Sequence, residues 1–131
     1  MIKVLIVEDN NAVRRGLVGL LNKQNQIAIV GETENGLKAI ELLKQGLEAD
    51  IVLADLNMPI MDGITLTEKL QVLFPLIKVV ILTMHTRIEF VDRALKAGVR
   101  GYLLKDGDFN EIYKGIHKVY NGEVHISVNL E

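Results

Sequence analysis

The chain has 131 residues, 49% of them hydrophobic, which is enough for one well-buried core and too short for two ordinary domains. A formal charge of -2 leaves no basic surplus to neutralise a phosphate backbone, so DNA binding by these residues alone is disfavoured. The absence of cysteine excludes disulfides, thiolate chemistry and Cys-ligated zinc, and Glu8, Glu32, Asp50 and Lys78 break the apolar runs well short of the roughly 18 residues of a membrane span. With Met1-Ile2-Lys3-Val4 leading straight into a strand, a cytoplasmic location without membrane contact is the expectation.

The run Lys3-Val4-Leu5-Ile6-Val7 predicts a first strand ending at Glu8-Asp9. Asn10 or Asn11 then caps a helix in which Val13, Leu17, Leu20 and Leu21 keep helical spacing, with Arg14, Arg15 and Lys23 on the other side and Gln24-Asn25 closing it. Ile27 to Val30 forms a second strand, and Asn35-Gly36 opens a helix through Leu37, Ile40, Leu42 and Leu43 that ends at Gly46. The third strand runs from Asp50 to Ala54 and stops at Asp55. Pro59 keeps Met58 extended, Asp62 caps a helix from Ile64 to Leu73, and Pro75 ends it. The fourth strand, Val79-Val80-Ile81-Leu82, leads into Thr83, and a helix over about 87–97 ends at Gly98. Gly101-Tyr102-Leu103-Leu104 is the fifth strand and leads into Lys105; a last helix from about Asp108 carries Phe109, Ile112, Ile116 and Val119 and stops at Asn121-Gly122. Five βα units with no internal linker or repeat imply an α/β fold with a parallel sheet built by right-handed crossovers. One domain over 1–121 is expected, with 122–131 the start of an interdomain linker or an appended tail, since Glu123 to Glu131 shows no pairing pattern.

Parallel strands gather their C-terminal ends on one edge, the edge where open α/β sheets bind ligands. Glu8, Asp9, Asp55, Thr83 and Lys105 would therefore meet. Three ionised carboxylates in one crevice need a counter-charge, and an all-oxygen donor set without His or Cys favours a hard ion; Mg²⁺ suits two carboxylates, a carbonyl of the Asp55-Leu56-Asn57 loop and retained waters. Asp55 is then placed to attack phosphorus in line, with Lys105 and Thr83 taking charge on the equatorial oxygens, to give an aspartyl phosphate. Each residue has a plainer reading. Asp55 before Asn57-Met58-Pro59 fits an Asx turn, Glu8-Asp9-Asn10 a helix cap, and Thr83 and Lys105 ordinary strand ends. Their joint placement at consecutive sheet ends is what favours the site. Met84 and His85 are expected on its rim, whereas His117, on the exposed side of the last helix, and His125, in the tail, are assigned to structure or solvent.

Glu8-Asp9, Asp55 with Asn57-Met58-Pro59 and Asp62-Gly63, Ile81-Leu82-Thr83, and Gly101 through Lys105 together resemble the receiver domain of two-component response regulators over essentially the whole chain. The resemblance implies a flavodoxin-like (CheY-like) three-layer sandwich, a five-stranded parallel sheet in the order 2-1-3-4-5 with five helices. It implies Mg²⁺ held by Asp9, Asp55 and the Asn57 backbone carbonyl with Glu8 acting through water. It also implies phosphorylation of Asp55 by a sensor histidine kinase, phosphate binding by Thr83 and Lys105, and a switch in which Thr83 moves and the Tyr102 aromatic turns inward. The surface that responds is that of the fourth helix, fifth strand and fifth helix. Leu82-Thr83-Met84-His85 and Tyr102-Leu103-Leu104-Lys105-Asp106 are similar to the NarL/FixJ group, which implies a C-terminal LuxR-type helix-turn-helix, absent from this chain, as the part that binds DNA. Asp106 stands where many receivers have Pro, so a cis X-Pro bond is not expected there, and Glu8 stands where many have Asp.

By the same resemblance, Asn11, Arg14, Arg15 and Val18, beside the acidic pocket on the first helix, are candidates for docking the kinase, although a solvated charged face reads equally well. Arg87, Glu89, Asp92, Arg93 and Lys96 on the fourth helix mix both signs, compatible with a homodimer there or through the first and fifth helices, and equally with plain solvation. Three other functions compete. Flavin binding on the same topology needs a phosphate-cradling loop after the first strand, which Glu8-Asp9-Asn10 would repel. A turnover phosphatase lacks an Asp two residues beyond Asp55, where Asn57 sits, and lacks length for a substrate pocket, so the chain is expected to be a regulatory phosphoacceptor rather than an enzyme. A stand-alone receiver acting through protein-protein binding is the remaining alternative.

Overall fold

The apolar runs form the sheet, and their alternation sorts side chains onto its two faces. In the computed structural model, which describes residues 1–85 and 87–127, the order is β1 (Ile2–Val7), α1 (Asn11–Asn22), β2 (Ile27–Thr33), α2 (Gly36–Lys44), β3 (Ile51–Ala54) and α3 (Gly63–Leu73), followed by β4 (Lys78–Thr83), α4 (Ile88–Ala97), β5 (Gly101–Leu104), α5 (Phe109–Tyr120) and β6 (His125–Ser127). Leu5, Val7, Val52, Ala54, Val79, Ile81 and Tyr102 pack with α2, α3 and α4 on one face; Val4, Ile6, Leu53, Val80, Leu82 and Leu103 pack with α1 and α5 on the other. This is the expected three-layer, doubly wound arrangement, with both faces of the sheet covered.

All strand pairs are parallel, and the sheet has the order β2-β1-β3-β4-β5-β6. The expected order 2-1-3-4-5 is therefore present, but the sheet has six strands, not five. The sixth comes from the segment expected to have no partner: His125, Ile126 and Ser127 align with Gly101, Tyr102 and Leu103. Three residues are too few to show a period, and the pairing is set by the open edge of β5 and by α5 beneath it. The rest of that expectation, residues 128–131, lies outside the described residues.

Local signals act largely as read. Asn10, Asn35, Asp62 and Asp108 each cap a helix by accepting a backbone N-H, and Gly46 and Gly98 take the left-handed conformation at helix ends (φ 105° and 113°). β2 runs on to Thr33, past the expected end at Val30, because an irregularity opposite Val4/Leu5 lets Gly31 re-enter the ladder. His117 is not on an exposed side: it is half-buried, its ring edge-on to Tyr113 with centroids 4.4 Å apart.

Candidate functional site

Register places the strand ends in one crevice. The Asp55 amide donates to the Val7 carbonyl (3.1 Å), the Glu8 amide to the Thr33 carbonyl (3.0 Å) and the Lys105 amide to the Thr83 carbonyl (2.8 Å), so the end of β3 is tied to β1, that of β1 to β2 and that of β5 to β4. Glu8 and Asp55 are buried and Asp9 is exposed; carboxylate oxygens of all three lie within 4.8 Å of one another. At that separation each pair of charges repels by about 3.5 kcal/mol at an effective dielectric constant of about 20. The Lys105 ammonium offsets part of this, reaching Glu8 Oε1 at 2.6 Å and Asp55 Oδ2 at 2.9 Å.

Burial pushes the Glu8 carboxyl above its ordinary range, against the pull of Lys105 and of the Asn10 amide, which donates to Oε2 at 3.1 Å. Burial also works against the Lys105 ammonium, but its hydrogen bonds to Glu8 and Asp55 outweigh that and hold its pKa above the usual lysine value. Three carboxylates against one ammonium leave two negative charges uncompensated, in an all-oxygen donor set. The cluster fits a hard divalent cation.

The rim is built around His85. Its backbone N-H donates to Thr83 Oγ1 (3.2 Å), its carbonyl accepts from the Tyr102 hydroxyl (3.0 Å), its ring meets the Asn57 amide nitrogen, and it packs against Phe90 with centroids 4.7 Å apart. Thr83 and Tyr102 are fully buried, and burial raises the Tyr102 phenol to about 12. The crevice thus joins Glu8, Asp9, Asp55 and Lys105 directly, while Asn57, Thr83 and Tyr102 meet through His85.

Two residues named in the sequence support the site through contacts that the sequence did not show. Arg14, read as a candidate for docking the kinase or as part of a solvated charged face, donates through Nη1 to the Glu8 carbonyl (2.7 Å) and so braces the acidic turn. Gly63 lets α3 start directly beneath the loop that follows Asp55, its amide donating to the Leu56 carbonyl at 2.8 Å; a Cβ there would run into the Asp55 carbonyl oxygen and stand 2.8 Å from Ile81 Cδ1. Its position after Asp62 was the available signal.

A family profile described as "Response regulator receiver domain" matches residues 4–117. The chain belongs to the response regulator receiver domain family. It is 43% identical over 122 residues to the response regulator protein VraR of Staphylococcus saprophyticus, a match covering 93% of this chain and 58% of that protein. The nitrate/nitrite response regulator protein NarL of Escherichia coli is 36% identical over 127 residues, covering 97% of this chain and again 58% of the relative. Among solved structures, the receiver domain of the NarL regulator of Mycobacterium tuberculosis superimposes with a TM-score of 0.87 at 31% identity, over 93% of this chain and 98% of that one. These are NarL- and LuxR-type two-component regulators, and this receiver domain is of that type. It is a regulatory family rather than a class of turnover enzymes. The receiver spans less than two thirds of the curated relatives it matches.

Proposed function

We propose that Asp55 accepts a phosphoryl group from a phosphohistidine of a sensor histidine kinase and that the domain passes on that event as a change of surface. The observation that carries the reading is the convergence of Glu8, Asp9 and Asp55 with Lys105, a site acidic enough to need a divalent cation and still supplied with one ammonium. An Asp55 carboxylate oxygen forms the new bond to phosphorus while the P-N bond to the donor imidazole breaks, its electron pair staying on that nitrogen. Asp9, Asp55 and the Asn57 carbonyl are the proposed Mg²⁺ ligands, with Glu8 acting through water. A bound Mg²⁺ would supply charge neutralisation on the phosphoryl oxygens.

Lys105 and the Thr83 hydroxyl take the remaining equatorial charge. For Lys105 this means exchanging one carboxylate partner for a more highly charged group close by, and for Thr83 a turn of its hydroxyl away from the His85 amide. Because the His85 carbonyl holds the Tyr102 hydroxyl, movement at Thr83 is felt by Tyr102 and by the surface of α4, β5 and α5. An output domain beyond this chain, a helix-turn-helix of the LuxR type, is the proposed DNA-binding part, favoured over a stand-alone receiver by the extra length of the relatives. Dimerisation through α4-β5-α5 or α1 and α5, and a cytoplasmic location, belong to the same proposal; among the described residues no helix is long and apolar enough to cross a membrane.

The test is intact mass after incubation with acetyl phosphate and Mg²⁺. One added phosphoryl group, lost in Asp55→Asn and in EDTA, supports the reading; equal labelling of the variant moves the acceptor elsewhere.

A further inference from the structure

Strand β5 has only four residues but faces three ways. Lys105 follows it directly and reaches Glu8 and Asp55; Tyr102 in its middle is tied to the His85 carbonyl; its outer edge carries β6. Besides its three-residue register with β5, β6 is held by the His125 amide on the Arg100 carbonyl (2.9 Å), the Ser127 hydroxyl on Glu111 Oε2 (2.8 Å), His125 Nε2 at 3.7 Å from the same Glu111 oxygen, and the His125 ring against Gly115, where a Cβ would stand 3.1 Å from His125 Cδ2 and 3.0 Å from Leu103 Cδ1. Ile126, opposite Tyr102, is exposed, and no large apolar side chain of β6 is buried. A strand of three residues that buries no large apolar side chain depends mainly on its main-chain pairing and its contacts with Glu111 and Gly115, so a change in the template bears directly on its docking.

We propose that β6 is a latch whose docking on β5 is coupled to the phosphoryl pocket, so that the chain leaving the receiver senses occupancy of Asp55 through its main-chain pairing with β5. The inference rests on the reading of Asp55 as acceptor. A phosphoryl group adds negative charge opposite Lys105 and tightens the tether of the residue that follows β5. Lys105 is also bonded through its amide to Thr83, so both ends of the Thr83-Lys105 link are fixed together. A better-ordered β5 is a better template for β6, and occupancy therefore favours the docked strand. By linkage, docking of β6 favours occupancy by the same factor, so loosening β6 weakens occupancy by at most that factor.

The experiment is residue-resolved amide hydrogen exchange on the full chain with Mg²⁺, with and without beryllofluoride as phosphoryl mimic, in the parent and in Ser127→Ala and Glu111→Gln. Both substitutions lie outside the pocket. The expected result is a slowing of about fivefold or more at the His125 amide on adding beryllofluoride, alongside slowing at Lys105, with faster His125 exchange and weaker beryllofluoride binding in both variants. Protection at Lys105 with unchanged exchange at His125 would overturn the latch while leaving the pocket intact. No protection at Lys105 would overturn the reading of the pocket, and the latch with it.

Discussion

Replacing Lys105 with Met keeps most of the aliphatic stem and removes the charge, so it isolates what the ammonium does beside the carboxylates. The lysine side chain is 17% exposed, Glu8 3% and Asp55 10%, so both ion pairs are largely shielded from solvent. Loss of one partner from a buried pair costs about 3–5 kcal/mol, because the remaining charges stay buried and unpaired. The scale agrees with the repulsion of about 3.5 kcal/mol for each carboxylate pair within 4.8 Å. Urea unfolding at neutral pH in EDTA should show this loss. Saturating Mg²⁺ should then restore more than half of it, and should stabilise the variant more than the parent, because lysine no longer competes for Glu8 and Asp55. A variant within about 1 kcal/mol of the parent in EDTA would refute the reasoning, given the typical cost of such a break. Equal stabilisation of both proteins by Mg²⁺ would show that lysine and metal do not share these carboxylates.

Tyr102 sets an alkaline limit. Its phenol ionises at about 12 in the folded chain against 10.0 when unfolded, so the unfolded state gives up the proton first and stability falls as pH rises between those values. The loss attributable to this group is about 3 kcal/mol at most, and Tyr102→Phe should flatten the corresponding part of a stability-against-pH curve; an unchanged slope would rule out its contribution. Lys105, its pKa also raised, acts in the same direction above its usual value, and that part should persist in the phenylalanine variant. Ile60 has φ 73°, a left-handed conformation that costs a β-branched residue about 1–2 kcal/mol, so Ile60→Asn should raise the urea midpoint, and a lower midpoint would show that the side chain compensates for the strain. Gly63→Ala should destabilise by about 1–3 kcal/mol and lower Mg²⁺ affinity by displacing the Asp55 carbonyl, checked by unfolding and metal titration; retention of both would show that α3 shifts freely.

The polar residues of the crevice were readable because each follows an apolar run, and a parallel sheet converts that repeated position into proximity. Asp55, buried at the end of β3, and Lys105, at the end of β5, lie 50 positions apart and still meet at 2.9 Å for this reason. What depends on tertiary partners was hidden. Arg14 shares the first helix with other basic residues, and nothing in its spacing tells that its guanidinium turns back onto the Glu8 carbonyl. His85 lies two residues beyond Thr83 and was placed on the rim, but its backbone role, joining Thr83 to Tyr102, is carried by groups every residue possesses. β6 left no trace for a related reason: its place is dictated by the edge of β5, by the gap over Gly115 and by Glu111, which receives Ser127, and these are tertiary partners that three residues of sequence do not announce.

The most direct measurement on Asp55 as a covalent acceptor is site mapping of the phosphoryl group. Borohydride reduction of an aspartyl phosphate leaves homoserine, which tandem mass spectrometry locates after labelling with acetyl phosphate and Mg²⁺. Homoserine at position 55 alone is the predicted outcome; homoserine at position 9, or a label that resists reduction altogether, would contradict it.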